Sequence, residues 1–338
     1  MTDQETGQTG ALPDFSHLTP DTVLHFVEES LGRRCSNMCR PLTSYINRVY
    51  EVEMNDGSWV VAKFYRPGRW SRDALQDEQD FVHELHEAEV PVVAPLRCEN
   101  GKLLQTCHGM AYAVFPKRGG RPLDEPTDTQ WIELGRLLSR VHAVGAKHPP
   151  RDRIEIDPRR SSAEHLEYIL QAPFPRSDIR QQYEDAVRSV LDRIAPLFDD
   201  VEKIRIHGDC HGNNIICRPG EPFAVIDFDD MAVGPPVQDM WMLLPGHLRE
   251  SLGELGLLLE GYSTFRDFDQ HTLRLIEPLR VMRFIHYTAW CARQKTDGGF
   301  EHLAPDWGSE SFWMQEIHDI RQQHQEINDA LDRPLPPL

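Results

Sequence analysis

Apolar and polar positions change rhythm about a third of the way along this chain. The early part alternates in short runs, as half-buried strands do, and the later part repeats at three- and four-residue steps, as helices do. Two β runs, Asn47 to Met54 and Trp59 to Arg66, flank Asn-Asp-Gly-Ser, and the Asp56-Gly57 pair is a strong hairpin signal. Val90 to Pro95 and Met110 to Phe115 read as further strands. A short helix is predicted over 20–33, started by Thr19 or Asp21 and stopped by Gly32. A longer one over 71–89 carries Leu75, Phe81, Val82, Leu85 and Ala88 on its apolar side.

Periodicity breaks at Pro116-Lys-Arg-Gly-Gly-Arg-Pro122, which we take as a linker between lobes. Beyond it Trp131, Leu134, Leu137, Leu138, Val141 and Val144 recur at helical spacing, with Gly145 placed to end that helix. Further helices are expected over 162–172, 178–197, 250–265, 271–294 and 309–331. One hairpin interrupts them, Asn214 to Cys217 with Phe223 to Phe228. The pattern predicts an α+β chain with a β-rich N-terminal lobe over 13–117 and a mostly helical C-terminal lobe over 118–333. Residues 1–12 and 334–338 read as tails.

Composition narrows the function. The 338 residues are 40% hydrophobic and contain no apolar run long enough to span a bilayer. The N-terminus lacks the basic start and apolar stretch of a signal peptide, so a cytoplasmic protein is expected. Seven scattered cysteines do not suggest a disulfide framework, and no second Cys pair or Cys/His cluster joins Cys35 and Cys39 at zinc spacing. Cys210 differs in lying beside Asp209, where a redox influence competes with plain packing. The net charge of −18 argues against nucleic-acid and anionic-membrane partners. From Glu301 onward eight carboxylates face two arginines, which reads as a solvated face or as steering of a cationic substrate.

The chemistry concentrates in Ile-His207-Gly-Asp209-Cys-His211-Gly-Asn-Asn214 and in Ala-Val-Ile-Asp227-Phe-Asp-Asp. An Asp five residues before an Asn, followed by a second Asp at the end of an apolar strand, is the arrangement of kinase catalytic loops. Phosphoryl transfer needs these types: Asp209 to accept the proton of a substrate hydroxyl, Asn214 and Asp227 to hold Mg2+ against a triphosphate. Lys63, in Trp59-Val-Val-Ala-Lys63, fits the strand lysine that meets the phosphates of ATP. Its partner belongs on the following helix, Glu78 by our choice, with Glu84 and Glu87 as alternatives. His207 reads as structural, and His211 either as packing or as an aid in neutralising the phosphoryl group. Asp229 and Asp230 read as turn or solvated carboxylates, with one able to contact solvated metal. Asp239 reads as a buried brace accepting backbone hydrogen bonds from the catalytic loop. ATP is expected at the hinge from Phe115 to Gly120. No glycine-rich phosphate loop precedes Lys63, and the backbone around Ser44 stands in that position.

His-Gly-Asp-x-His-x-x-Asn followed by Ile-Asp-Phe-Asp resembles the aminoglycoside phosphotransferase and choline kinase branch of the kinase-like fold. Within it, Ser-Tyr-x-Asn-Arg-Val-Tyr, Lys-Phe-Tyr-Arg-Pro-x-Arg-Trp, Glu-Val-Pro-Val-x-Ala-Pro, His-Gly-Asp-Cys-His, Gly-Pro-x-Val-Gln-Asp-x-Trp-Met-Leu-Leu and Ile-Glu-Pro-Leu-Arg-x-Met-Arg resemble the stress response kinase A family. That resemblance implies a bilobal protein-kinase-like fold, and a bacterial Ser/Thr protein kinase active in envelope or oxidative stress. It implies Asp209 as proton acceptor, Asn214 and Asp227 as magnesium ligands, and Ser44 as an ATP contact. The expected partner is a protein with a Ser or Thr acceptor, the kinase itself included, and the expected state is a monomer. Ile46 stands where the family's pattern has glutamate, and Gly212-Asn213 stands where it has Ala-Gly. A small-molecule kinase and a catalytically silent ATP-binding regulator are the alternatives.

Overall fold

The computed structural model describes residues 15–295 and 300–333, so the expected tails over 1–12 and 334–338 lie outside the described residues. The chain forms two compact units. One runs to Arg121 and takes in Pro150–Asp152 and Ile216–Asp229; the other holds Pro122–Pro149, Arg153–Ile215 and the chain from Asp230 onward.

The first unit is built on an antiparallel sheet of β1 (Cys35–Leu42), β2 (Arg48–Met54), β3 (Trp59–Phe64), β4 (Gln105–Cys107) and β5 (Met110–Pro116), in the order β1-β2-β3-β5-β4. The β2–β3 turn forms as predicted, with Gly57 at φ 81° and its N–H on the Met54 carbonyl at 2.9 Å. Alternation along β3 sends Val60, Ala62 and Phe64 into a core with Val23 and Val27 of helix α1 (Pro20–Leu31). Lys63 therefore faces the other way, toward the side covered by α2 (Arg72–Glu87). Thr19 caps α1, accepting from the Thr22 N–H at 3.2 Å, and Ser71 caps α2 through the Ala74 N–H at 3.0 Å.

Two readings of this unit need correction. β1 was not predicted: Cys35–Leu42 has no apolar alternation and contains Pro41. It forms because an edge strand needs hydrogen bonds on one side only. Conversely, Val90 to Pro95 is not a strand. With Pro91 and Pro95 lacking donors, it makes a single bridge, Val92 to Val225.

The second unit is mostly helical: α3 (Asp128–Gly145), α4 (Ala163–Ile169), α5 (Ser177–Ile194), α6 (Val237–Trp241), α7 (Leu252–Tyr262), α8 (Ile276–Gln294), α9 (Phe300–Leu303) and α10 (Glu310–Asp332). Thr127 and Gln130 close a capping box on α3. α3 and α7 meet backbone to backbone, since a Cβ on Gly135 would lie 2.0 Å from the Leu258 carbonyl oxygen and one on Gly261 2.0 Å from that of Ile132. Gly145 is the last residue of α3, but not as a left-handed cap. It is there because the Arg205 carbonyl oxygen would lie 2.0 Å from a Cβ. A short antiparallel ribbon, Ile204–Ile206 with Ala232–Gly234, carries the His207–Asn214 loop. Among the described residues no helix is long and apolar enough to cross a membrane.

Candidate active site

Lys63 is the centre of a charged group in the first unit. Its ammonium lies 2.7 Å from Asp227 Oδ1, 3.6 Å from Asp229 Oδ1 and 3.9 Å from Glu78 Oε1. Burial alone would lower its pKa, but the three carboxylates outweigh that and hold the lysine charged well above its ordinary range. Glu78 is itself fixed by the Tyr65 hydroxyl, which donates at 2.9 Å and takes a hydrogen bond from Gln79 Nε2 at 2.7 Å. Of the two alternatives, Glu87 is exposed and lies 3.9 Å from His83 instead. Glu84 is half-buried, and its carbonyl accepts at the end of α2.

Asp227 follows the short strand Ala224–Val225 and adopts φ 61°, a left-handed conformation that Asp tolerates better than most side chains. The next residue, Phe228, packs edge-on against Phe81 of α2 at 5.7 Å, which anchors the turn. Half of the Asp227 side chain stays open to solvent, at 51%, whereas that of Asp229 is 7% exposed. Asp229 is held by Arg69 and by Asn47 Nδ2, the latter at 3.2 Å. Asp229 is thus an integrated part of the group rather than a solvated turn residue.

Ser44 lies half-buried in the loop between β1 and β2. Arg66 ties down the residues after it, donating to the carbonyls of Ile46 at 3.0 Å and Tyr45 at 3.3 Å. Phe115 lies opposite Val61 near the end of β5, half-buried beside Tyr65, Leu75 and Ala113.

In the second unit, Asp209 occupies a loop held from below. The Asp239 carboxylate is fully buried and accepts from the His207 and Gly208 N–H groups, each at 2.8 Å, and from His142 Nε2 at 3.1 Å. Gln238 Nε2 donates to the Gly208 carbonyl at 3.1 Å. Gly208 is required twice over, by φ 82° and by the Asp230 carbonyl oxygen 2.2 Å from a Cβ. His207 is structural, its Nδ1 accepting from the Asp209 N–H at 3.3 Å.

Arg283 of α8 donates to Asp209 Oδ1 at 2.7 Å, and His211 Nε2 lies 3.4 Å from Oδ2. Burial alone would raise the Asp209 pKa. The His211 hydrogen bond, Arg283 and His207 reverse this and hold the carboxyl well below its usual range. Asn214 Nδ2 donates to the Asp209 carbonyl at 2.9 Å. Cys210 is fully buried, and burial pushes its thiol well above the ordinary cysteine range.

Asp209, Asn214, His207, His211 and Asp239 are thus gathered in one unit, and Lys63, Glu78, Asp227 and Asp229 in the other. Sequence reasoning gave no role to Asn47, Arg69 or Arg283. Each lies within a string quoted above for the family resemblance, so the signal was there without an assignment.

This fold, with a charged strand lysine in one unit and an ionised, braced aspartate in the other, describes a phosphotransferase working on hydroxyl acceptors. The chain belongs to the phosphotransferase enzyme family, matched over residues 39–276, and within it to the stress response kinases A. It is 36% identical over 310 residues to stress response kinase A of Escherichia coli (strain K12), covering 91% of this chain and 93% of that one. The same identity and coverage relate it to serine/threonine protein kinase RdoA of Salmonella typhimurium (strain LT2). Among solved structures, it resembles amicoumacin kinase hAmiN in complex with AMP-PNP, Ca2+ and Ami, with TM-score 0.70, 18% identity and coverage of 92% and 93%. It also resembles a microcompartment-associated aminopropanol kinase, with TM-score 0.68, 16% identity and coverage of 92% and 97%. The protein is a kinase with the expected α+β, bilobal kinase-like fold.

Proposed function

We propose that this kinase transfers the γ-phosphate of Mg-ATP to Ser or Thr hydroxyls of proteins, itself included, in a cytoplasmic stress response. The observation that carries the reading is the state of Asp209, ionised and oriented by Arg283 and His211 on a loop braced by Asp239. A carboxylate so placed orients a hydroxyl and takes its proton as the P–O bond forms; a raised pKa is unnecessary where positioning dominates. Lys63, kept cationic by its carboxylates, binds phosphate oxygens, and Ser44, Phe115 and the 13–117 lobe bind the nucleotide.

The donors suit a magnesium ion. Asp227 offers a half-exposed carboxylate, and Asn214 an amide whose nitrogen is already engaged. When bound, the ion supplies positive charge against the triphosphate oxygens. A protein acceptor is supported by the relative named a serine/threonine protein kinase at 36% identity. The structures named for small-molecule kinases share only the fold at 16–18%. A silent ATP-binding regulator would leave the complete set of Lys63, Asp209, Asn214 and Asp227 without use.

The test is transfer of γ-labelled phosphate from Mg-ATP by the purified protein, offered generic proteins and then aminopropanol. Asp209→Asn is expected to lower turnover on the order of a hundredfold or more while ATP binding is kept. Label confined to aminopropanol would overturn the protein-kinase reading. Full turnover in Asp209→Asn would overturn the choice of base.

A further inference from the structure

Helix α8 has two faces with different business. Ile285, Thr288, Ala289 and Ala292 are buried at helical spacing and hold it in the core of its unit. Arg283, His286, Trp290 and Arg293 recur at steps of three, four and three on another stripe, with Tyr287 beside them.

One end of that stripe is at the base, where Arg283 meets Asp209 at 2.7 Å. Farther along, His286 Nδ1 lies 3.0 Å from His165 Nε2, and Arg293 lies 3.4 Å from the other nitrogen of the His165 ring. Arg293 also covers the Tyr168 ring at 4.7 Å. Tyr287 and Trp290 stack with their planes 14° apart. Tyr168 and Tyr287 are 37% and 47% exposed, so part of each aromatic side chain reaches solvent.

Next to Gly208 there is a cavity of about 60 Å³, room for a small side chain. Its polar wall comprises Ser161, Ser162, His165, Gln238, Arg283 and His286; among the described residues Asp230 is the single carboxylate lining it. Burial, with His286 and Arg293 nearby, drives the His165 pKa down to about 3, so that ring is a neutral hydrogen-bonding group. Arg283 brings a guanidinium to this wall, shared with Asp209, and the hydroxyls and rings around it offer donors to a carboxylate. The net charge of −18 opposes an acidic ligand at long range. That repulsion is screened over about 8 Å at physiological salt, and direct contacts at the stripe are screened less.

We propose that the Arg283–Arg293 stripe of α8 is the acceptor track, taking an extended acidic peptide segment whose Ser or Thr reaches Asp209. The proposal rests on the protein-kinase reading above and names its substrate class. Ten helical residues rise about 15 Å, the span of roughly four to five residues of extended peptide. A carboxylate four or five residues from the acceptor serine therefore reaches Arg293, and an aromatic side chain between them lies on Tyr287.

The experiment measures kcat/KM with Mg-ATP for serine peptides carrying Glu or Lys four and five residues away, on either side of the serine. The parent is expected to favour the Glu peptide of one polarity by about fivefold or more. Arg293→Glu should reverse the preference, and Arg293→Gln should remove it. Arg293 is exposed, and thermal melts of both variants establish that they are folded. Equal or better use of the Lys peptides by the parent overturns the track while leaving a protein kinase in place. So does a Glu preference unchanged in Arg293→Glu. Label on aminopropanol and on no peptide overturns the protein-kinase reading and the track together.

Discussion

Replacing Asp239 tests whether its carboxylate braces the His207–Asn214 loop. Its carboxylate is fully buried and receives two backbone N–H groups at 2.8 Å and His142 Nε2 at 3.1 Å. Asp239→Ala leaves those donors facing a void. At about 1 kcal/mol or more for each of the three orphaned buried donors, the expected loss of stability is about 3 kcal/mol or more. Asp239→Asn keeps the shape and one acceptor oxygen but points an NH2 group at another donor, for a loss of about 2 kcal/mol. Turnover should fall with stability in the order parent, Asn, Ala, because the same two N–H groups fix the residues immediately before Asp209. The assay is urea unfolding followed by tryptophan fluorescence at constant m value, paired with initial rates under conditions where each variant is folded. If both variants unfold within about 0.5 kcal/mol of the parent and keep its turnover, Asp239 is not the brace.

Three further outcomes follow from the same geometry. Arg283→Gln removes one of the groups depressing the Asp209 pKa, so that pKa rises. As the proposed base Asp209 must be ionised, and the acid limb of the kcat profile should therefore move to higher pH; a limb in the parent's position would refute the pair. Gly261→Ala would gain about 0.5–1 kcal/mol on helix propensity alone, yet its Cβ would lie 2.0 Å from the Ile132 carbonyl oxygen. Net destabilisation of about 2 kcal/mol or more is expected in thermal or urea unfolding, and any gain would contradict the close packing of α3 on α7. Cys210, buried with its thiol pKa raised, should resist iodoacetamide in the native protein and react once unfolded; rapid native alkylation, read by mass spectrometry, would revive a redox role.

Much of this molecule is legible from local signals. The Asp56-Gly57 hairpin, the Thr19 cap and the apolar stripe of α3 are each set by residues within one or two turns of one another, so spacing alone reveals them. The Asp209–Asn214 interval is legible for the same reason: both side chains belong to one short loop. Even the Asp239 brace could be read, because a lone acid within an apolar run needs partners. Edge strand β1 could not, since its main-chain pairing leaves no mark on side-chain pattern, and the prolines at 91 and 95 cancelled an apolar run that looked like a strand. Gly145 was visible as a glycine, but its reason, a carbonyl sixty residues away in sequence, was not. Arg283 is the plainest case. It lies 74 residues from Asp209, and only the packing of α8 brings its guanidinium to 2.7 Å, where burial is offset and the carboxylate stays ionised. The sequence alone determined which chemical groups are present and which short-range elements hold them. The tertiary structure decided their partners, because the charge state of a buried group depends on what lies within a few ångströms and not on its neighbours in the chain.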